Sequence, residues 1–372
     1  MASLTNMIET CGSIEKAKEY AISMISKGKN SEWLNLSLLF AAEGKYIESK
    51  KCDFEYMKYY PDCPRVKFGV GYHYLVEGDF QTGIRMINEG GRACNNFGNQ
   101  PPQIGKPMWN GIDPLKGKKT LLFGEGGYGD EIINVRFAKN LSDRGASVIV
   151  SASESLLEVF SSIEGVNAVV KKQFLDSIYY DTWVPGMGAP WLCGITYNTL
   201  SGKPYIQKLQ SNIWEKLIPK TKGCLNVGLR WSGLPQFEHE QFRKFPKELM
   251  LDLATVPNVK CFSFQRDTDL VKLPDNITDL SSIITTWKET ALALSRMDIM
   301  ISSCTSVAHM AAAMGIKTWI IVPIMAYYTW ALPGNKSPWY ESVTLFRQNK
   351  FGRWDDTLNL VKSELVKEIE NE

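Results

Sequence analysis

Apolar positions recur at helical spacing through the first hundred residues, and polar breaks divide them into paired segments. EWLNLSLLFAA and VKFGVGYHYLV each run into a Glu-Gly-x-aromatic unit, Glu43-Gly44-Lys45-Tyr46 and Glu77-Gly78-Asp79-Phe80. The two units stand 34 positions apart, the period of a tetratricopeptide hairpin. Glycine suits the turn between two packed helices, and the aromatic opens the second helix. SIEKAKEYAISMISKG supplies a partial further unit, and Pro61 and Pro64 fall between the full ones. So short an array is below the three or so repeats that stabilise a free solenoid, which predicts that it leans on the next domain.

A polar, Pro/Gly-rich connector comes next, NNFGNQPPQIGKPMWNGIDPLKGK, and the pattern then changes. Short apolar runs (KTLLF, ASVIVSA, VNAVV, DTWVP) alternate with helical segments. After the helix and linker SNIWEKLIPKTKG, a second series begins with LNVGLRW and continues through VKCFSFQ, MDIMISS and KTWIIVPI. Such alternation predicts parallel sheets with crossover helices, here α/β halves facing across a cleft. The closing WDDTLNLVKSELVKEIENE is an amphipathic helix expected to pack back across the halves. The expected domains are a helical domain over 1–106, an amino-terminal Rossmann-like half over 107–218, a carboxyl-terminal one over 219–350, and the final helix over 351–372.

Ligands of open parallel sheets sit beyond the carboxyl ends of the strands, so two turns there can be compared. The first, FGEGGYGDEI, has glycines 124, 126, 127 and 129, which admit close backbone approach, but also Glu125, Asp130 and Glu131. Its glycines are out of frame for a dinucleotide fingerprint, which counts against a nicotinamide-dependent oxidoreductase. Carboxylates at a helix start repel a diphosphate, so this turn suits a general base. The second, SSCTSVAH, offers hydroxyls, free amides and His309 one helical turn inside, with no acid. That composition suits an anion at a helix N-terminus, with Thr305, Ser306 and Val307 as donors. Taken alone, it equally fits ordinary capping by Ser or Thr.

Composition narrows the picture little. The 42 basic and 40 acidic residues give a net charge of +2, so no global field demands a polyanionic partner. Eight scattered cysteines without a C-x-x-C pair read as reduced thiols, and three histidines with no Cys/His cluster argue against zinc. The first 30 residues carry charges throughout, and no apolar run approaches the ~20 residues of a membrane span. A soluble, cytoplasmic protein without a signal peptide is the expectation.

The motifs, taken in order, resemble those of tetratricopeptide-fused glycosyltransferases related to bacterial heptosyltransferases and O-GlcNAc transferase. LLFGEGGYGDEIINVRFAKNL is similar to their E-Q-G-x-G-D-E-I-x-F-x-R-Y-A segment, VGLRWSG to V-G-L-x-W-x-G, FRKFP to R-S-(I/L)-P, and FSFQ to S-L-Q. WKETALALSRMDIMISSCTSVAHMAAAMG follows D-T-A-x-x-I-x-x-L-D-L-V-I-(S/T)-V-D-T-x-x-A-H-L-A-G-A-L-G, and SPWYESVTLFRQNKFGRW follows S-P-W-Y-P-S-x-R-L-F-R-Q-x-x-x-G-D-W. The match extends from about Lys118 to Trp354.

The resemblance implies the two-Rossmann GT-B architecture and an inverting, metal-independent transfer from a nucleotide-diphosphate sugar, with no other cofactor. By position it makes Asp130 the base, with Gly127 and Gly129 flanking it on the acceptor side. Thr305, Ser306 and His309 become donor contacts, as does Gln265, and Arg243 neutralises the diphosphate with Lys244 and Arg230 as neighbours. A protein, a glycan or a hydroxymethylated DNA base is the implied acceptor, in a bacterial cell or phage-infected host, and an oligomer is open. Two departures bear on the donor. Cys304 replaces the family's V-D-T aspartate, and Tyr327-Tyr328-Thr329-Trp330 replaces D-W-R-W. Cys304 leaves room for a catalytically silent scaffold as the alternative. Asp267-Thr268-Asp269 spells the D-x-D of metal-dependent transferases but reads as loop chemistry here, and Trp287, Trp330 and Trp339 as core or interface aromatics.

Overall fold

The structure, a computed structural model, describes residues 4–93, 105–237, 240–266 and 272–371. Asp267-Thr268-Asp269 and most of the connector's first half lie outside those residues.

The first part is all helical: α1 (Leu4–Cys11), α2 (Ile14–Ser26), α3 (Glu32–Ala42), α4 (Tyr46–Tyr59), α5 (Pro64–Val76) and α6 (Phe80–Ala93). The α3–α4 and α5–α6 hairpins turn at Gly44 and Gly78, whose φ values of +72° and +90° only glycine adopts without strain. Tyr46 and Phe80 open the second helix of each pair. The helices lean on both α/β halves. Leu75, Phe80, Ile84 and Ile87 join the main core, Gln81 donates to the Ile195 carbonyl, and Phe80 packs on Tyr197 with ring centroids 4.7 Å apart. At the other end Leu4, Leu39 and Ala42 pack around Phe242, and the Tyr46 hydroxyl donates to the Ile324 carbonyl.

The two halves each hold a parallel sheet. The amino-terminal sheet comprises β1 (Lys119–Phe123), β2 (Ser147–Ala152), β3 (Ala168–Lys171) and β4 (Thr182–Pro185), in the order β3-β2-β1-β4. The carboxyl-terminal sheet comprises β5 (Leu225–Arg230), β6 (Val259–Ser263), β7 (Ile277–Asp279), β8 (Ile299–Ser303), β9 (Lys317–Val322) and β10 (Val343–Arg347), in the order β10-β9-β8-β5-β6-β7. Two of these strands escape the sequence pattern. β7 spans three residues, too few to show a period, and β10 lies inside the motif SVTLFRQ.

Alternate residues of the carboxyl sheet enter two different cores, as period-two pleating requires. Val227, Leu229, Ile299, Ile301, Trp319 and Ile321 face one cluster, while Met300, Ile320 and Val322 face the other. The helix Asp355–Glu370 covers the first face with Leu358, Val361 and Leu365, all buried at helical spacing. Each of these contributes about 1.5–3 kcal/mol by leaving water. The expected return across the halves is thereby corrected: the apolar stripe of this helix is matched by the outer face of the carboxyl sheet, and it belongs to that half.

The strand orders reverse between β1 and β4 in one sheet and between β5 and β8 in the other. Crevices form at such reversals, beyond the strand ends. The turns after β1, β5 and β8 therefore converge.

Candidate functional site

The turn after β1 leads into a helix over Tyr128–Asn134. Glycine at 126 is required twice over: φ is +71°, and a Cβ would stand 2.4 Å from Asp130 Oδ2. With that space free, the Asp130 carboxylate folds back to accept from the Gly127 N–H at 3.0 Å through Oδ2 and from the Tyr327 hydroxyl at 3.1 Å through Oδ1. Of the three acids in the turn, two are built into the fold. Glu131 is buried against the Lys172 ammonium at 2.6 Å and the Ser153 N–H and hydroxyl. Glu125 is buried and accepts from the Met187 N–H at 3.0 Å. Asp130 alone is half-buried, beside exposed Gly127 and Tyr128. Burial pushes its carboxyl up to about 6, against the lowering effect of the Gly127 N–H and Tyr327 hydroxyl. A Gly126→Ala variant is expected to lose about 1–2 kcal/mol from the left-handed backbone alone, measured by urea unfolding, and to dislodge the Asp130 carboxylate.

The turn after β8 carries no acid into its helix, Ser306–Ala313, and the Thr305 side chain makes no capping bond to that helix. The Thr305 hydroxyl instead meets the Ser302 hydroxyl at 3.1 Å. The first amides of the helix are thus left without a side-chain cap, with the positive end of the helix dipole behind them. Arg243 reaches this turn from the helix Glu240–Arg243, its Nη1 donating to the Cys304 carbonyl. Its Nε donates to Glu240 Oε2 at 2.5 Å, and its guanidinium lies 4.9 Å from the Phe237 ring centroid. A Cβ on Gly233 would stand 2.0 Å from Arg243 Nη2, so the glycine of VGLRWSG makes room for the guanidinium. Phe237 meets Tyr327 edge-on, with centroids 6.2 Å apart, which closes a chain of contacts from Asp130 through Tyr327 and Phe237 to Arg243.

The two turns touch directly. A Cβ on Gly129 would stand 3.2 Å from His309 Cδ2 and 3.7 Å from Ser306 Cα. The small residues of SVAHMAAA let this approach happen: Ala308, Ala311 and Ala312 share a core with Ile132 and Ile133 of the opposite helix. His309 is buried, stacked on Trp330 with centroids 5.2 Å apart at 7°, and its Nδ1 is 3.2 Å from the Tyr340 hydroxyl. Burial, with the positive charges of Arg136 and Arg243, pushes its pKa down to about 3, so the imidazole is neutral. Cys304, in place of the family aspartate, accepts at Sγ from the Trp330 indole N–H at 2.8 Å. Trp330 and Trp339 are fully buried and Trp287 nearly so.

Two residues placed on the donor by motif carry hydrogen bonds within the protein. Gln265 is buried, with Oε1 accepting from the N–H groups of Trp231 and Ser232 at 3.3 and 3.2 Å and Nε2 donating to the Ser232 hydroxyl at 2.9 Å. Arg230 is buried and donates to the Phe264 carbonyl at 2.8 Å. Both fasten the turn after β5 to the end of β6. Lys244 is exposed on the rim. Sequence reasoning missed Tyr327, Glu240, Arg136 and Tyr340, although Arg136 and Tyr340 stand inside the matched motifs. Among the described residues, no group of three or more His, Cys, Asp or Glu side chains could hold a metal, and no helix is long and apolar enough to cross a membrane.

No family model and no curated protein sequence matches the chain. Solved structures similar to it include a family 9 glycosyl transferase from Veillonella parvula, at 11% identity and a TM-score of 0.49, covering 68% of this chain and 91% of that one. Another is the ADP-heptose LPS heptosyltransferase II of E. coli, at 13% identity and a TM-score of 0.48, covering 68% and 99%. An O-GlcNAc transferase mutant from Thermobaculum terrenum is similar at 11% identity and a TM-score of 0.32, covering 99% and 91%. At these identities and TM-scores the likeness carries no activity with it.

Proposed function

We propose that the protein is a GT-B glycosyltransferase with an amino-terminal tetratricopeptide-like domain, moving a sugar from a nucleotide-diphosphate sugar to an acceptor hydroxyl with inversion. The observation that carries this reading is the contrast of the two touching turns. One keeps a single half-buried carboxylate with a raised pKa, while the other keeps an acid-free helix start with Arg243 beside it. Asp130 accepts the proton of the acceptor hydroxyl. The acceptor oxygen then bonds to the anomeric carbon as the bond from that carbon to the diphosphate breaks. The charge arriving on the diphosphate is met by Arg243, Lys244, the Thr305 hydroxyl and the first amides of the Ser306–Ala313 helix. These groups supply the positive charge that a metal would otherwise bring, so turnover is expected to persist in EDTA.

The test is nucleotide release from UDP-, GDP- and ADP-sugars incubated with host protein, glycan and hydroxymethylated DNA, with products weighed by mass spectrometry. Sugar transfer to one acceptor class supports the reading. Nucleotide binding without transfer, or no binding at all, would favour a silent scaffold, as Cys304 in place of an acid allows.

The pH dependence has a definite sign. Turnover is expected to rise with pH through about 6 as Asp130 loses its proton. Tyr327→Phe removes a donor that favours the carboxylate, so the limb should move to higher pH, read from kcat/KM profiles. Because the folded chain holds this proton more firmly than the unfolded one, the Asp130 contribution to stability falls as pH rises from 3.8 to about 6.

A further inference from the structure

Arg136 lies just beyond the helix Tyr128–Asn134 in the amino-terminal half, and its guanidinium is buried between residues of that half and two of the carboxyl-terminal half, Trp339 and Tyr340. It lies 4.4, 5.6 and 4.5 Å from the ring centroids of Tyr205, Trp339 and Tyr340. A guanidinium has five N–H groups and no acceptor. Nε donates to the Ile133 carbonyl at 2.9 Å, and Nη1 to the carbonyls of Ser201 at 3.2 Å and Trp339 at 2.6 Å. Nη2 donates to the Tyr205 hydroxyl at 3.0 Å. Four of the five donors are thus placed.

This arrangement fixes the direction of two further hydrogen bonds. The Tyr205 hydroxyl donates its own hydrogen to the Ile132 carbonyl at 2.7 Å, which leaves its oxygen as an acceptor. With the Tyr205 oxygen already accepting from Arg136, the single hydrogen of the Tyr340 hydroxyl is left for its other neighbour. His309 Nδ1 stands at 3.2 Å, nearer than the Tyr205 oxygen at 3.5 Å. An imidazole that accepts at Nδ1 carries its proton on Nε2. The Cδ2–Nε2 edge is the one that Gly129 faces, with a Cβ there 3.2 and 3.9 Å from the two atoms.

We propose that Arg136 is a positioning residue for His309, turning the Tyr340 hydroxyl onto Nδ1 so that a neutral imidazole presents an Nε2–H donor to an oxyanion between the two turns. The oxyanion class is a phosphate oxygen of a nucleoside diphosphate, and that clause rests on the transferase reading, whereas the tautomer does not. The relay also ties the shape of the donor-side turn to a residue of the opposite half.

Histidine side-chain ¹⁵N spectra of the whole protein test it, with His309→Gln identifying one signal set among three histidines. The expected result is a bare Nδ1 and a protonated Nε2 for His309, unchanged between pH 5 and 8. Tyr340→Phe, which removes one hydroxyl, should convert this to a tautomer mixture and weaken binding of UDP, GDP or ADP about tenfold or more. Arg136→Met should give a tautomer mixture too, an unchanged tautomer there overturning the proposal, while Arg136→Lys, which keeps a charged donor, should retain part of the wild-type pattern. A protonated Nδ1 in the wild type, or an unchanged tautomer in Tyr340→Phe, overturns the proposal. The expected tautomer together with no nucleotide binding upholds the relay and removes the transferase reading instead.

Discussion

Replacing Asp130 by asparagine is expected to lower kcat by about 10²–10⁴-fold, the usual contribution of a positioned general base. The amide keeps the size and one acceptor of the carboxylate, so the Tyr327 hydroxyl retains a partner and the fold should hold. Nucleotide affinity should stay within a few-fold of wild type, because the groups proposed to hold the donor lie on the opposite turn. The variant should also lose the limb near pH 6, since the group titrating there is gone. Full turnover in Asp130→Asn, measured as nucleotide release, would dismiss this residue as the base.

Arg243→Ala carries the second large effect. Removing the guanidinium is expected to weaken nucleoside diphosphate binding about 10–100-fold, from the loss of charge-assisted hydrogen bonds. Turnover should fall by about 10²–10³-fold, as for other single groups that stabilise developing negative charge. The substitution also strands Glu240, a buried acid whose Oε2 loses its partner at 2.5 Å. Breaking a buried pair in this way destabilises the fold in its own right. The double variant Arg243→Ala with Glu240→Gln separates the two effects: melting temperature should recover, and binding should not. Recovery of binding in the double variant would mean that Arg243 serves the fold and not the ligand.

Much of the architecture was legible because the strands are short apolar runs separated by glycine-rich or hydroxyl-rich turns, and parallel strands buried on both faces leave that trace. The Glu-Gly-x-aromatic spacing placed two helical hairpins for the same local reason, since Gly44 and Gly78 need positive φ. What depends on tertiary partners was not legible. Nothing along the chain says that Leu358, Val361 and Leu365 face the carboxyl sheet, or that the helical domain touches both halves. At the site, the acids and hydroxyls of each turn were plain, but which acids remain near solvent was not. Glu125 and Glu131 carry the same carboxylate chemistry as Asp130 and are set apart by what folds over them. A motif position likewise does not give the orientation of a side chain: nothing in it says that Gln265 and Arg230 hold the turn after β5 by hydrogen bonds. The chain from Arg136 through Tyr340 to His309 joins residues 31 to 204 positions apart, beyond any local pattern.

The division of labour between the turns is tested most directly by calorimetric titration of UDP, GDP and ADP into wild-type protein, Asp130→Asn and Arg243→Ala with Glu240→Gln. One nucleotide should bind the first two alike and the third about 10–100-fold more weakly. Equal binding to all three, or binding lost with Asp130 and kept without Arg243, would contradict it.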